Sequence, residues 1–508
     1  MFQWHFSGFK NVLLSEDSIR VLGVHFSYNE AIHTERNFLN IIKDVESTLK
    51  AWKWRPLSLQ GKIIVFKTLV FSKTIYVSYL TNVPPDVLST LAEIQKNFIW
   101  DGKKAKIKHS TLTNDYSKGG LKDIDITAKF EALHLSWISR FYSENKHPWT
   151  KILKAILIKN FSLDTIFFPN LDVEEHKLDQ LPSFYRNIIK SWINISKHNP
   201  KTISLVLSES LWFNSQIKIG NKSLSPSFLS LKKQICLKDL FTADGSFIPW
   251  EDFSTLHEIP LHLYFRWIQI RNSIPTQWLR IVREGRHSNL NFPHPHLNIN
   301  ERIACTKKLT SATFYSLLHE KFSKVPTSIC FHETKLNIVL DSKKWENIFL
   351  APRFACTDSN TRIFQFKILH NILFLNDRLY NLNLSDTKLC SFCNSENETP
   401  VHLFGECNLT LLLWKSLQNK LKDFLLLDNI SPQSAILGFT ELEHDRNTVN
   451  HLLLIFKRFI YKNRNKSISQ NLFFKTIKST IDLEIQSCRS SARLQKINKK
   501  WEKIIHLF

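Results

Sequence analysis

Glycine is scarce in this chain, 11 of 508 residues, and methionine occurs once, at Met1. With Lys, Leu and Ile spread throughout, that scarcity points to helices joined by short polar loops. No apolar run approaches the roughly 20 residues that a membrane helix needs. The most apolar segments, around residues 63–80 and 452–460, are interrupted by Lys or Arg. No membrane role follows. The opening Met1-Phe2-Gln3-Trp4-His5 is not a secretory signal. Eight cysteines are too few for a disulfide framework over this length. A reducing compartment, nucleus and/or cytoplasm, is expected, and secretion is not.

Acidic side chains are the minority, 45 against 68 Lys and Arg, for a formal charge of +23. Such an excess points to a polyanionic partner, most simply RNA and/or DNA. The plainer reading is a basic soluble protein with no such partner. Hydrophobic content of 43%, with 38 Phe, is ample for real cores and excludes a disordered chain. The length suggests roughly three or four domain-sized pieces.

Against this background one stretch stands out. Cys390, Cys393, His402 and Cys407 follow the spacing C-x2-C-x8-H-x4-C. Thiolate and imidazole are donors that Zn²⁺ prefers, and four of them make a closed tetrahedral site. A closed site leaves no position for water, so this zinc would fold the chain rather than do chemistry. Residues 394–400, Asn-Ser-Glu-Asn-Glu-Thr-Pro, can reverse the chain and bring the Cys pair onto a helix starting near Val401.

Elsewhere the pattern is mostly helical. Ser18-Ile19-Arg20-Val21-Leu22-Gly23-Val24-His25-Phe26 alternates like one strand, with Gly23 allowing a bulge. Residues 1–42 read as incomplete, as if a start codon fell inside a longer ancestral frame. Ser58 can cap a helix over about 59–80, with Ile63, Phe66, Val70 and Val77 as one buried stripe. Lys62 and Lys73, about three turns apart, then share another face. Pro84-Pro85-Asp86 starts a further helix whose apolar face is Val87, Leu91, Ile94 and Phe98.

The loop after Trp100 carries Lys103, Lys104, Lys106 and Lys108. It is either a solvated loop or a phosphate-contacting one. Lys118-Gly119-Gly120 is a turn, and Phe130, Leu133, Trp137 and Phe141 define another helix. Residues 150–340 are less legible. Asn221 and Asp244-Gly245 mark turns beside short β-like runs, and the aromatics of 264–278 read as core before base-stacking surface. A boundary falls near Pro293-His294-Pro295-His296 or within 326–333. The chain ends in helices carrying Lys457, Arg458, Lys462 and Arg464, then Arg489, Arg493, Lys496, Lys499 and Lys500. They form either a solvated face or a phosphate-binding one.

The assembled order resembles the C-terminal half of the polymerase protein of LINE-type, non-LTR retrotransposons. Val21-Leu22-Gly23-Val24 resembles the strand that closes the palm. Trp54, Leu57-Ser58-Leu59-Gln60-Gly61-Lys62-Ile63, Pro84 and Phe98-Ile99-Trp100 are similar to the family thumb. Gly119-Gly120-Leu121 and Trp137 resemble its connector. Phe364-Gln365-Phe366-Lys367-Ile368-Leu369-His370, Leu379-Tyr380 and the four metal ligands resemble the reverse-transcriptase zinc-binding domain.

The resemblance implies five segments. They are a palm-end remnant (1–42), a thumb-like helical bundle (43–100), a basic loop and helical connector (101–200), a mixed middle domain with some β (201–340), and a helical zinc-knuckle domain with a basic tail (341–508). The class is mainly α. The family copies RNA into DNA, which needs paired metal-binding carboxylates. This chain has no Asp-Asp pair, and Asp123 and Asp125 read as turn residues. The resemblance therefore implies retained grip on template–primer or element RNA without polymerisation, and room for a separately encoded polymerase. A host-adopted, zinc-dependent protein-interaction adaptor is the alternative.

Overall fold

The computed structural model describes residues 18–27, 29–143, 147–285, 296–299, 301–425, 427–440, 445–488 and 490–508. Residues 1–17, the boundary candidate Pro293 to Pro295, Arg489 and the Arg493 side chain lie outside the described residues. Helix makes up 62% and strand 6%, so the chain is mainly α. Among the described residues the strands pair as two-stranded antiparallel ribbons.

The helices begin where short polar side chains satisfy their first amides. Ser58 Oγ accepts from Gly61 N at 3.1 Å, opening the helical run Leu59–Leu80. Asp125 caps Ile126–Phe141, Asp341 caps Ser342–Ala355, and Asp358 caps Ser359–Leu369. Each cap is worth about 1 kcal/mol. Asp123 and Asp125 thus have different local roles: Asp123 is buried and accepts from Gln95 Nε2 at 2.9 Å, while Asp125 caps a helix.

Several expectations need correction. Residues 18–26 are a hairpin, Ile19–Val21 paired with Val24–Phe26, rather than one strand. Leu22 and Gly23 both take positive φ, 49° and 88°, so the chain turns where a bulge was expected. The run Leu59–Leu80, 22 residues, is long and apolar enough to cross a membrane by length and composition alone. Its Ile63, Phe66 and Val70 are nonetheless core residues. Phe66–Phe71 inside it is π-helical, which breaks the 3.6-residue count that put Lys62 and Lys73 on one face. In Pro85–Trp100 the buried line is Val87, Leu91, Gln95 and Ile99, while Ile94 and Phe98 are only half-buried. A polar residue occupies the core line because Asp123 and the Ile124 carbonyl receive both hydrogens of its amide.

The chain divides into two compact units built from interleaved stretches. The first comprises Met1–Ile42, Lys73–Leu91 and Asp125–Phe322. Its core runs through residues 128–318 and is aromatic-rich, with Trp192, Trp212, Phe253, Trp267 and Phe314 wholly buried. Trp267 stacks on Phe253 at 4.4 Å between ring centroids. Trp267 and Trp278 therefore belong to the core, as the aromatic stripe led one to expect, while Phe265 is 79% exposed. Small ribbons turn at Gly220-Asn221 and close around Asp244-Gly245.

The second unit comprises Lys43–Ser72, Ala92–Ile124 and Ser323–Phe508. Its main core gathers Trp345, Ile368, Phe404, Trp414, Phe456, Phe473 and Trp501 with two of the cysteines, Cys390 and Cys407. A smaller cluster joins Ile63, Ile99, Leu112 and Leu121 to Ile363 and Phe366. Gly120 makes this possible: a Cβ there would meet the Asn114 carbonyl oxygen at 2.0 Å. The Gly119 carbonyl bonds the His370 ring at 2.8 Å. Residues 101–124 are thereby fastened to the helix Ser359–Leu369 and the residue after it, His370.

Candidate metal centre and cationic surface

The four expected ligands converge. Donor atoms of Cys390, Cys393, His402 and Cys407 all lie within 4.8 Å of one another, and together they can hold a metal ion. The Cys390 and Cys407 sulfurs are 3.9 Å apart, and Cys393 Sγ is 3.3 Å from His402 Nε2. Tetrahedral Zn–S bonds of about 2.3 Å put two sulfurs roughly 3.8 Å apart, so the spacing suits a tetrahedral ion. Cys390, His402 and Cys407 are buried and Cys393 half-buried.

Local backbone chemistry explains the convergence. Asn394 takes φ 52°, its amide bonds the Cys390 carbonyl at 3.0 Å, and Leu389 bridges antiparallel to Asn397. The Asn394–Pro400 loop thus reverses the chain as expected. His402–Glu406 is a single π-helical stretch, after which Cys407 stands immediately before the helix Asn408–Leu421. The Cys390 thiol donates to Cys407, and the Leu409 and Thr410 amides at the helix start face the same sulfur. They bring the Cys407 thiol down despite its burial. Cys390, the donor, is pushed up. A thiolate is the form a metal binds, and the amides at the helix start favour it at Cys407. Gly405 lets the Pro432–Leu437 helix approach; a Cβ would sit 2.9 Å from Ala435 Cβ.

Around the ligands sits a second set of residues that spacing alone did not reveal. Glu398 is fully buried. Its Oε1 accepts from the Asn376 amide at 3.1 Å and Arg464 at 2.9 Å; its Oε2 accepts from the Ser391 amide at 2.8 Å and from the Ser391 hydroxyl. Asn376 Nδ2 donates to the Leu389 carbonyl at 2.9 Å. One carboxylate thus clamps the Cys loop, the helix Asn376–Tyr380 and the segment just beyond the helix Arg446–Lys462. The only sequence signal was an acid four residues before the ligand histidine.

No protein-family profile matches the chain.

The expected nucleic-acid contacts divide sharply. Lys103, Lys104, Lys106 and Lys108 are exposed, as are Lys73 and Lys462. Lys62 is mostly covered and pairs with Asp101 at 2.5 Å. Arg458 pairs with Asp358 and lines a cavity of about 770 Å³ with Lys462, Thr361, Thr476 and Thr480. Arg464 is committed to Glu398 and to the Phe374 carbonyl. Lys457 is corrected outright. It is fully buried and donates to Gln365 Oε1 at 2.7 Å and the Ala435 carbonyl at 2.9 Å, so it reaches no phosphate. Burial brings its ammonium down to about 7. In the basic tail, Lys500 likewise turns inward, to His451, Glu484 and the Ala355 carbonyl.

Proposed function

We propose that this protein binds nucleic acid through a cationic surface held in shape by a structural zinc ion. The reading places it with the thumb, connector and zinc-binding portions of LINE-type reverse transcriptases, without their polymerase carboxylates. The observation that carries it is the convergence of Cys390, Cys393, His402 and Cys407 in the same unit as the exposed lysines of residues 103–108. Zinc suits three sulfurs and one imidazole better than the oxygen-seeking cations do. With four protein ligands the ion has no open position, so its work is to hold the Cys loop against the helix Asn408–Leu421.

Binding of a labelled RNA hairpin across a salt series tests this. Affinity should fall steeply as salt rises, because neutralised phosphates release counterions. Affinity that is absent or independent of salt would overturn it. Primer extension with Mg²⁺ tests the missing polymerase chemistry; no nucleotide incorporation is expected.

A protein-interaction adaptor is the second reading. It draws support from apolar side chains open to solvent near the metal loop, Leu384 at 68% exposure and Leu382 at 49%. Substituting both by Ser should leave RNA affinity unchanged on the first reading. Loss of a protein partner with RNA binding absent throughout would favour the second.

A further inference from the structure

Within the second unit, the lysine loop meets the metal-bearing domain at one aromatic ring. Lys106 Nζ stands 3.9 Å from the centroid of Phe374. Arg378 lies at the same ring, 5.9 Å from its centroid, and is fixed there by donating to the Asn371 carbonyl. The charges acting on Lys106 are Lys367, Arg378 and Lys103, all of its own sign. Among the described residues, no carboxylate forms an ion pair with Lys103, Lys106, Lys367 or Arg378. The buried acid bonded to the start of the Arg378 helix, Glu398, is already held by Arg464.

Such an arrangement is costly in isolation. Like charges repel, and a lysine partly withdrawn from water loses hydration. A cation over a benzene ring recovers only about 0.5–1 kcal/mol at an exposed site. Three other half-covered cations of this unit do have a carboxylate: Lys62 pairs with Asp101, Arg458 with Asp358, Arg464 with Glu398. Here the pairing is missing, although the ring and both flanking segments are anchored. Asn376, at the start of the Arg378 helix, is bonded to Glu398, Leu389 and Ser391 of the metal loop. Lys367 stands in the last turn of the helix Ser359–Leu369, which is capped by Asp358. Arg378 and the helix of Lys367 are thus held in place, and among the described residues no carboxylate pairs with them.

We propose that Lys106 and Arg378 at Phe374, with Lys103 and Lys367 as further cations near Lys106, form one binding site for the phosphodiester backbone of a nucleic acid, shared between the lysine loop and the metal-bearing domain. It rests on the nucleic-acid reading above and deepens it by naming the place of contact. Successive phosphates supply the missing negative charge, and the Arg378 fork can hold one of them in a bidentate pair. Phe374 serves as a platform that spaces the cations.

The test uses the full zinc-loaded chain and amine acylation read by mass spectrometry. Lys106 should be acylated in the free protein and protected by an RNA hairpin and by dextran sulfate, a polyanion with no bases. Lys151, exposed in the other unit, should stay reactive. Lys106→Glu should weaken RNA binding about tenfold and flatten the salt slope by about one phosphate contact; Lys151→Glu should not. If RNA binds but leaves Lys106 reactive, and Lys106→Glu binds as the parent does, this site is overturned and the nucleic-acid reading stands. If the parent fails to bind RNA at low salt, that reading falls, and dextran sulfate alone decides the site. Protection of Lys106 then upholds a polyanion site, and its absence overturns it.

Discussion

Two basic stretches of the second unit, the loop at 101–109 and the helix Arg446–Lys462, carry similar charge in the sequence and opposite roles in the fold. The loop keeps Lys103, Lys104, Lys106 and Lys108 at the surface. The helix spends its cations internally: Lys457 on Gln365 and Ala435, and Arg458 on Asp358; just beyond its end, Arg464 holds Glu398. Lys462 alone in that set stays exposed. Positive charge in a sequence therefore measures neither availability nor affinity. What separates the two stretches is their neighbours. Lys457 sits among Leu453, Leu454, Phe456 and Ile460, all buried, so its stem follows an apolar face inward. The loop lysines follow Trp100-Asp101-Gly102 and have no apolar stripe to join.

That contrast can be broken experimentally, beginning with the metal. Cys407→Ser or His402→Ala should drop zinc content from about one per chain toward zero, since three ligands hold the ion less tightly. Protease sensitivity of residues 380–410 should rise in parallel. Unchanged resistance there would show that the ligands do not organise the region. Glu398→Gln comes next. It leaves Arg464 without its counter-charge at a mostly covered site, and a loss of about 3 kcal/mol in denaturant unfolding is expected. A loss below about 1 kcal/mol would mean that Arg464 escapes to solvent and that the clamp is incidental.

Lys457 sharpens the comparison through pH. Its folded ammonium titrates at about 7, well under the ordinary lysine value of about 10.4. Below about pH 7 both folded and unfolded chains carry the proton. Between about pH 7 and 10 the unfolded chain holds one more, so stability should rise with pH across that window. Lys457→Met should remove the lysine's part of this rise, and an unaltered profile would contradict the burial. The smallest effect belongs to the loop: Lys103→Ala should change stability by under about 0.5 kcal/mol. A larger change would mean that the loop, too, is built into the fold.

Much of this was legible beforehand. The four ligands could be read because metal coordination imposes residue type and spacing at once. Ser58 as a cap, and the mainly helical class, could be read because they are local properties. What stayed hidden depends on distant partners. Gln95 replaces an apolar residue on a core line only because Asp123 and the Ile124 carbonyl receive it. Glu398 is recognisable as a clamp only once Asn376, Ser391 and Arg464 are seen to converge on it. The hairpin at 18–26 was hidden by its turn, because Leu22 in a left-handed conformation is an uncommon choice.

The most direct test compares RNA-hairpin affinity of the zinc-loaded chain with that of the chelator-stripped chain, each across a salt series. A structural metal that shapes a cationic surface predicts that the loaded chain binds with a steep salt dependence, and that stripping weakens binding and flattens the slope while the first unit stays folded. Equal affinity and equal slopes with and without zinc would contradict it.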